Sequence, residues 1–270
     1  MQISGFPSNK ARRLTRRAAM GGGLGLALGT GLASLFAGSA RAQLPASETA
    51  TLTLPGGRLV GATLYLPPRI PAPAVLLVHD RFGLTDVLRE RAAALALDRY
   101  MVVAVDLYHG KQAQIAAEAA KLQAALDREE AVATVNGWAN WVRADARCTR
   151  NVGMLGLGLG GQVALEAAGL SPIQALALYY ALPQLRSGQT LRLNGPVLGH
   201  YSERDPQTSI AAVEDVQFQL QRTSKKSRLH TYDADPDFAN PASPHFARAD
   251  ALLAWNRTVA FFRANLGAGA

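Results

Sequence analysis

Beyond residue 48 the spacing of hydrophobic residues changes repeatedly, and each change marks an element. "TATLTLPGG" and "RLVGATLYLPP" alternate apolar and polar positions on either side of Gly56-Gly57. That pattern predicts an antiparallel hairpin over residues 49 to 67. After Pro67, Pro68, Pro71 and Pro73 comes "AVLLVHD" (74–80), almost wholly apolar and rich in branched side chains. Such a run fits a strand covered on both faces, as in a parallel sheet. "MVVAVDLY" (101–108), "NVGMLGLG" (151–158), "QALALYYA" (174–181) and "GPVLGHYS" (195–202) read the same way, and "SRLHTYDA" adds one more strand. Between them, "DVLRERAAALALDRY", "GQVALEAAGL" and "SIAAVEDVQFQLQR" repeat apolar residues at helical spacing. Residues 112 to 145 form a helical stretch in two pieces, with Trp138 and Trp141 on a packed face, and residues 246 to 265 form a last helix.

Strands alternating with helices predict an α/β fold: a mostly parallel central sheet with helices on both faces, preceded by the N-terminal hairpin. No internal repeat and no linker divides residues 43–270, which therefore read as one domain. Ligands in such sheets sit beyond the carboxyl ends of the strands. Those ends carry His79-Asp80, Tyr108-His109, Gly158 and the stretch from Tyr201 to Asp205.

The first 42 residues differ in character. "NKARRLTRRAAM" is basic, "GGGLGLALGTGLASLFAGSA" is mildly apolar, and Ala40-Arg41-Ala42 before Gln43 is a small-x-small cleavage site. Arg16 and Arg17 just ahead of the apolar run match a twin-arginine signal. The expectation is export, to the periplasm or outside, with cleavage after residue 42. A membrane anchor is the alternative; the many glycines and the cleavage site speak against it. The net charge of +8 changes meaning in this light. Lys10, Arg12, Arg13, Arg16, Arg17 and Arg41 all lie in the leader, which has no acid, leaving 22 basic against 20 acidic residues beyond it. Charge therefore gives no reason to expect a nucleic-acid partner. The single cysteine, Cys148, excludes an intrachain disulfide.

The candidate chemistry centres on Gly156-Leu157-Gly158-Leu159-Gly160-Gly161. A strand, then G-x-nucleophile-x-G, then a helix is the frame of a nucleophile elbow. Gly156, Gly158 and Gly161 also fit a dinucleotide-binding G-x-G-x-x-G. That motif usually opens its fold, however, and the next strand ends without the acid that would hold a ribose.

"AVLLVHDRFGL", "MVVAVDLYHGK", "VGMLGLGLGGQVAL", "PVLGHYSERDP", "YDADPDFANP" and "AWNRTVAFFRANL", in this order, resemble the dienelactone hydrolase family of α/β-hydrolases over about residues 48 to 266. The resemblance implies an α/β-hydrolase fold and hydrolysis of small esters and lactones by a Cys-His-Asp triad, without metal or other cofactor. It places Gly158 in the nucleophile slot and Pro236 in the histidine slot, and it leaves Asp205 as the triad acid. A family glutamate that governs the thiol corresponds to Asp80. The oxyanion hole would come from the backbone N–H groups of Leu159 and Arg81. Glycine has no atom to attack a carbonyl and proline no imidazole to move a proton, so covalent acyl transfer by that route cannot run.

Other residues near the strand ends are candidates for chemistry or for structure alone. Cys148 lies at the far end of its strand, and Ser202 lacks an elbow. His245 follows the missing histidine by nine residues and could fold back. His79, His109 and His200 with Asp80 and Asp205 could hold a metal, but match no compact motif. Tyr108, Lys111, Arg81 and His79 are candidate ligand contacts, with Lys111 and Arg81 suited to a carboxylate. Three readings follow: a pseudo-hydrolase that keeps a pocket for a small ester, acid or lactone; an active hydrolase using water activated by Asp80, Asp205 or a metal; and a structural partner protein of the cell envelope.

Overall fold

The computed structural model describes residues 45–183, 193–222 and 226–267; the expected leader and cleavage site lie outside them. The hairpin forms as strands β1 (Ala46–Thr53) and β2 (Leu59–Leu66), antiparallel with Ala50 opposite Ala62. The remaining strands are β3 (Ala72–Val78), β4 (Met101–Asp106), β5 (Cys148–Leu157), β6 (Ala175–Tyr179), β7 (Val197–Ser202) and β8 (Arg228–Tyr232). They join one eight-stranded sheet in the order β1-β2-β4-β3-β5-β6-β7-β8. β2 meets β4 antiparallel, and every later pairing is parallel.

Helices α1 (Asp86–Leu97), α2 (Ala116–Ala124), α3 (Arg128–Ala144), α4 (Leu159–Leu170), α5 (Ile210–Arg222) and α6 (Arg248–Leu266) cover both faces. Alternation along a strand sends neighbours to opposite faces. Ala74, Leu76 and Val78 of β3 therefore belong to the buried cluster on the face covered by α3 and α4, while Val75 and Leu77 belong to the cluster shared with α1 and α6. This is why "AVLLV" had to be apolar throughout: all of β3 is buried.

Two local features sharpen the expected elements. The helical stretch 112–145 divides because Asp127 caps α3, its carboxylate accepting from Glu130 N at 2.9 Å. Trp138 and Trp141 then meet edge to face at 5.3 Å inside the core. The strand expected over 174–181 stops at Tyr179, because Tyr180 turns to a left-handed φ of 60°. In that conformation its hydroxyl accepts from Ala239 N at 2.8 Å and ties β6 to the loop after β8. Among the described residues no helix is long and apolar enough to cross a membrane.

Candidate active-site cleft

Gly158 is the single residue between β5 and α4, with φ 48° and ψ −115°. Its N–H donates to the Tyr179 carbonyl at 2.8 Å, and its own carbonyl accepts from Gly161 N at 3.0 Å. The glycines around it are required by close packing. A Cβ on Gly156 would lie 2.6 Å from Gly161 Cα, and one on Gly160 would lie 2.1 Å from the His79 carbonyl oxygen. At Gly158 only Asp80 Cβ comes near, at 3.9 Å. The turn thus keeps the shape of an elbow with room for a side chain at its apex, and the apex carries none. The N–H groups of Leu159 and Arg81 donate to no protein acceptor among the described residues. They are free to receive an oxyanion.

The end of β3 brings Asp80 beside that space. Its Oδ1 accepts from Phe82 N at 2.8 Å, and its other oxygen has no partner among the described residues. Burial raises the Asp80 pKa to about 6; the Phe82 N–H opposes the rise, the Asp237 carboxylate adds to it, and Arg81 and Arg91 oppose it. The Tyr108 hydroxyl is buried without a hydrogen-bond partner among the described residues, and its pKa is pushed up to about 12 by burial and by Asp80.

Asp80 and Arg81 line an open cleft of about 650 Å³, together with Phe82, Pro236, Asp237 and His245. Phe82 lies 5.1 Å beneath the Arg81 guanidinium, which stands 3.9 Å from the Asp237 carboxylate. The loop that carries Pro236 is anchored by Phe238, which is fully buried. It is held further by Ala247 N donating to the Phe238 carbonyl at 2.9 Å and by Arg91 donating to the Ala239 carbonyl. Pro236, which the resemblance puts in the histidine slot, therefore lines the cleft in a fixed frame.

The other sequence candidates fall in different places. His79 is fully buried: Leu107 N donates to its Nε2 at 3.0 Å, so Nδ1 carries the proton and donates to the Asp80 carbonyl at 2.7 Å. Burial lowers its pKa and keeps it neutral. It is a strut between β3 and β4 that has no nitrogen left for a ligand, which corrects its expected contact role. Tyr108 and Lys111 line a separate cavity of about 170 Å³ with His109, Asp106, Asp127 and Glu130. Lys111 and Arg81 therefore do not converge on one carboxylate. Asp205 is not part of the cleft lining; its Oδ1 accepts from Gln207 N at 2.8 Å in the turn before α5. Ser202 is buried with its hydroxyl unpartnered among the described residues. Cys148 is buried at the start of β5, the opposite end of the strand from Gly158, and burial raises its pKa.

His245 does fold back to the cleft, and its Nδ1 lies 3.7 Å from the Asp235 carboxylate. His200 is enclosed elsewhere, between the Tyr232 hydroxyl at 2.8 Å and the Thr258 hydroxyl at 3.1 Å. Among the described residues no three His, Cys, Asp or Glu side chains gather as a metal-ligand set. Asp237 and Asp235 were missed by sequence reasoning. They carry no local signal, since Asp237 meets Asp80 only through the arrangement of the β3 and β8 ends.

The sheet order, the elbow and the cleft at the strand ends define an α/β protein built like the α/β-hydrolases. The model of the "Dienelactone hydrolase family" matches residues 60–266, and the chain belongs to that family. It is 30% identical over 216 residues to carboxymethylenebutenolidase of Rhodococcus opacus, covering 72% of this chain and 82% of that protein. It is 26% identical over 223 residues to carboxymethylenebutenolidase of a Pseudomonas species, covering 79% and 93%. Among solved structures it resembles dienelactone hydrolase from Anabaena variabilis, with TM-score 0.66, 21% identity and coverage of 83% and 100%. It also resembles a dienelactone hydrolase-like promiscuous phosphotriesterase from metagenomic libraries, with TM-score 0.70, 20% identity and coverage of 82% and 100%.

Proposed function

We propose that this protein has given up the family's covalent acyl transfer and keeps the cleft as a binding site for a small ester-, acid- or lactone-like molecule. In that sense it is a pseudo-hydrolase. The observation that carries the reading is the bare apex: an elbow of the right shape, with space for a nucleophile, holds Gly158. Pro236 at the cleft wall supports it, because that position offers no imidazole and the cleft's own His245 is turned to Asp235 at 3.7 Å. Within the proposed ligand class the cleft favours uncharged members. Asp80, Asp86 and Asp237 face it against the guanidinium of Arg81, so a free carboxylate would meet net repulsion. Export through a twin-arginine signal is part of the same reading, and places the ligand in the periplasm or outside the cell. The second reading, hydrolysis at a non-standard site, is favoured by the half-free carboxylate of Asp80, whose Cβ borders the bare apex.

Titration with δ-valerolactone and with acetate, read by calorimetry, tests the binding claim. The lactone is expected to bind more tightly than acetate, and Ala116→Trp, which places an indole in the cleft, is expected to abolish binding. Lactone binding unchanged by Ala116→Trp would remove the cleft as the site. Replacing Gly158→Cys together with Pro236→His tests the lost chemistry. The repaired variant should form an acetyl-protein adduct from p-nitrophenyl acetate that the natural protein does not form.

A further inference from the structure

We propose that His200 is an acid-sensitive latch on the cleft wall: uncharged, it ties β7, β8 and α6 together, and on taking a proton it releases β8 and the loop that carries Pro236 and Asp237. The latch holds that wall whether the cleft binds its ligand or hydrolyses it. Three features carry the assignment. His200 is fully buried on β7, where the register sets it beside His230 of β8. Both of its ring nitrogens are engaged, Nδ1 at 2.8 Å from the Tyr232 hydroxyl and Nε2 at 3.1 Å from the Thr258 hydroxyl. The Tyr232 ring lies 4.7 Å from that of Phe238, the buried anchor of the loop. β8 lies at the edge of the sheet and pairs with β7 alone, so it can part without breaking the sheet's centre.

The proton positions follow from the partners. The Thr258 hydroxyl donates its one hydrogen to the Ala254 carbonyl at 3.0 Å, so it accepts from the Tyr179 hydroxyl and from His200 Nε2. Nε2 therefore carries the ring proton, and Nδ1 accepts from the Tyr232 hydroxyl. Tyr232 in turn accepts from the Arg257 guanidinium at 3.0 Å. This chain is satisfied at every group only while His200 is neutral. A proton on Nδ1 would face the Tyr232 O–H, donor against donor. The surroundings add to the conflict. His230 of β8 stacks on the ring at 6.0 Å, and Arg257 of α6 and Arg91 of α1 oppose a positive charge there. Tyr179 of β6 and Tyr232 of β8 are the other titratable groups against it. Farther out, Asp250 of α6 acts on Tyr232 and Arg228 of β8 on His230. Burial first, and then His230, Arg257 and Arg91, hold the His200 pKa well below the ordinary 6.5. The latch is therefore at full strength above about pH 6.5. It weakens as pH falls further, because the released imidazole takes the proton that the enclosed one refuses.

The test is hydrogen exchange by NMR from pH 8 to pH 5, with rates converted to protection so that the pH dependence of exchange itself is removed. The reporters are the amides of Glu203, which donates to the Tyr232 carbonyl at 2.9 Å, and of Ala239 and Ala247 in the loop. Their protection should fall by roughly tenfold per pH unit below about 6.5, the effect of one proton, while that of Leu155 in the centre of the sheet stays level. Asp80 acts in the opposite sense, since its raised pKa favours the folded state at lower pH, so it cannot produce the fall. His200→Gln has an amide that donates and accepts but takes no proton, and it should flatten the fall. Tyr232→Phe keeps the ring on Phe238 and removes the hydroxyl. It should lower protection already at pH 8 and reduce the pH dependence. Level protection across the range in the natural protein, an undiminished fall in His200→Gln, or a fall that vanishes in His230→Gln would overturn the proposal. Should His200→Gln fail to fold, Tyr232→Phe decides: the natural pH profile in that variant would overturn it as well.

Discussion

Asp80 should cost the protein stability at neutral pH, and the size of that cost can be worked from its surroundings. Its pKa rises from 3.8 to about 6 on folding, chiefly because burial disfavours the charged form. A raised carboxyl pKa means the folded state binds a proton more tightly than the unfolded state. Protonated Asp80 is therefore accommodated below about pH 4, and this advantage is lost as pH rises through about 6. Every tenfold gain in proton affinity on folding corresponds to roughly 1.4 kcal/mol, so ionised Asp80 costs about 3 kcal/mol at pH 8. Asp80→Asn removes the charge while its amide oxygen can still accept from Phe82 N. Urea denaturation at pH 8 should therefore find the variant more stable by up to about 3 kcal/mol, with the denaturant slope unchanged. At pH 4 the two proteins should be nearly equal. A stability difference that is the same at both pH values, or a variant less stable at pH 8, would refute the reasoning.

Gly158→Ala and Gly160→Ala should separate conformational strain from steric exclusion. The first should cost about 1–3 kcal/mol, because alanine at φ 48° is strained while the space is open. The second places a methyl 2.1 Å from the His79 carbonyl oxygen and should prevent stable folding, as judged by circular dichroism and denaturation. Tyr108→Phe removes a buried, unpartnered hydroxyl and should leave the midpoint unchanged or raise stability by about 1 kcal/mol. Phe238→Ala should cost about 3–5 kcal/mol and loosen the loop bearing Pro236, which hydrogen exchange at Ala239 and Ala247 would report.

The strands β3 through β7 were legible because a strand buried on both faces leaves a continuous apolar run, and Ala72–Val78 has little else. The elbow was legible because strand, glycine frame and helix are adjacent in the chain. Gly158 and Pro236 were reached only through the family resemblance of the stretches around them. What the side chains around them do was less accessible. His79 sits at a strand end, where ligands bind, yet the register of β3 against β4 puts Leu107 N on its ring. Lys111 follows soon after the carboxyl end of β4, but the chain turns it toward α2 and α3 and a different cavity.

The amino-acid order by itself determined the alternation of strands and helices and the glycine frame of the elbow. These depend on residue type and on spacings of a few positions, which a linear pattern carries in full. Only the tertiary structure decided that Asp80, Asp237 and His245 share one cleft while Tyr108 and Lys111 line another. Asp80 and Asp237 are brought together by the docking of two loops from distant strands, and the raised pKa of Asp80 follows from the burial that this docking creates. Loop direction and burial are set by packing across the whole sheet, and no local period encodes them.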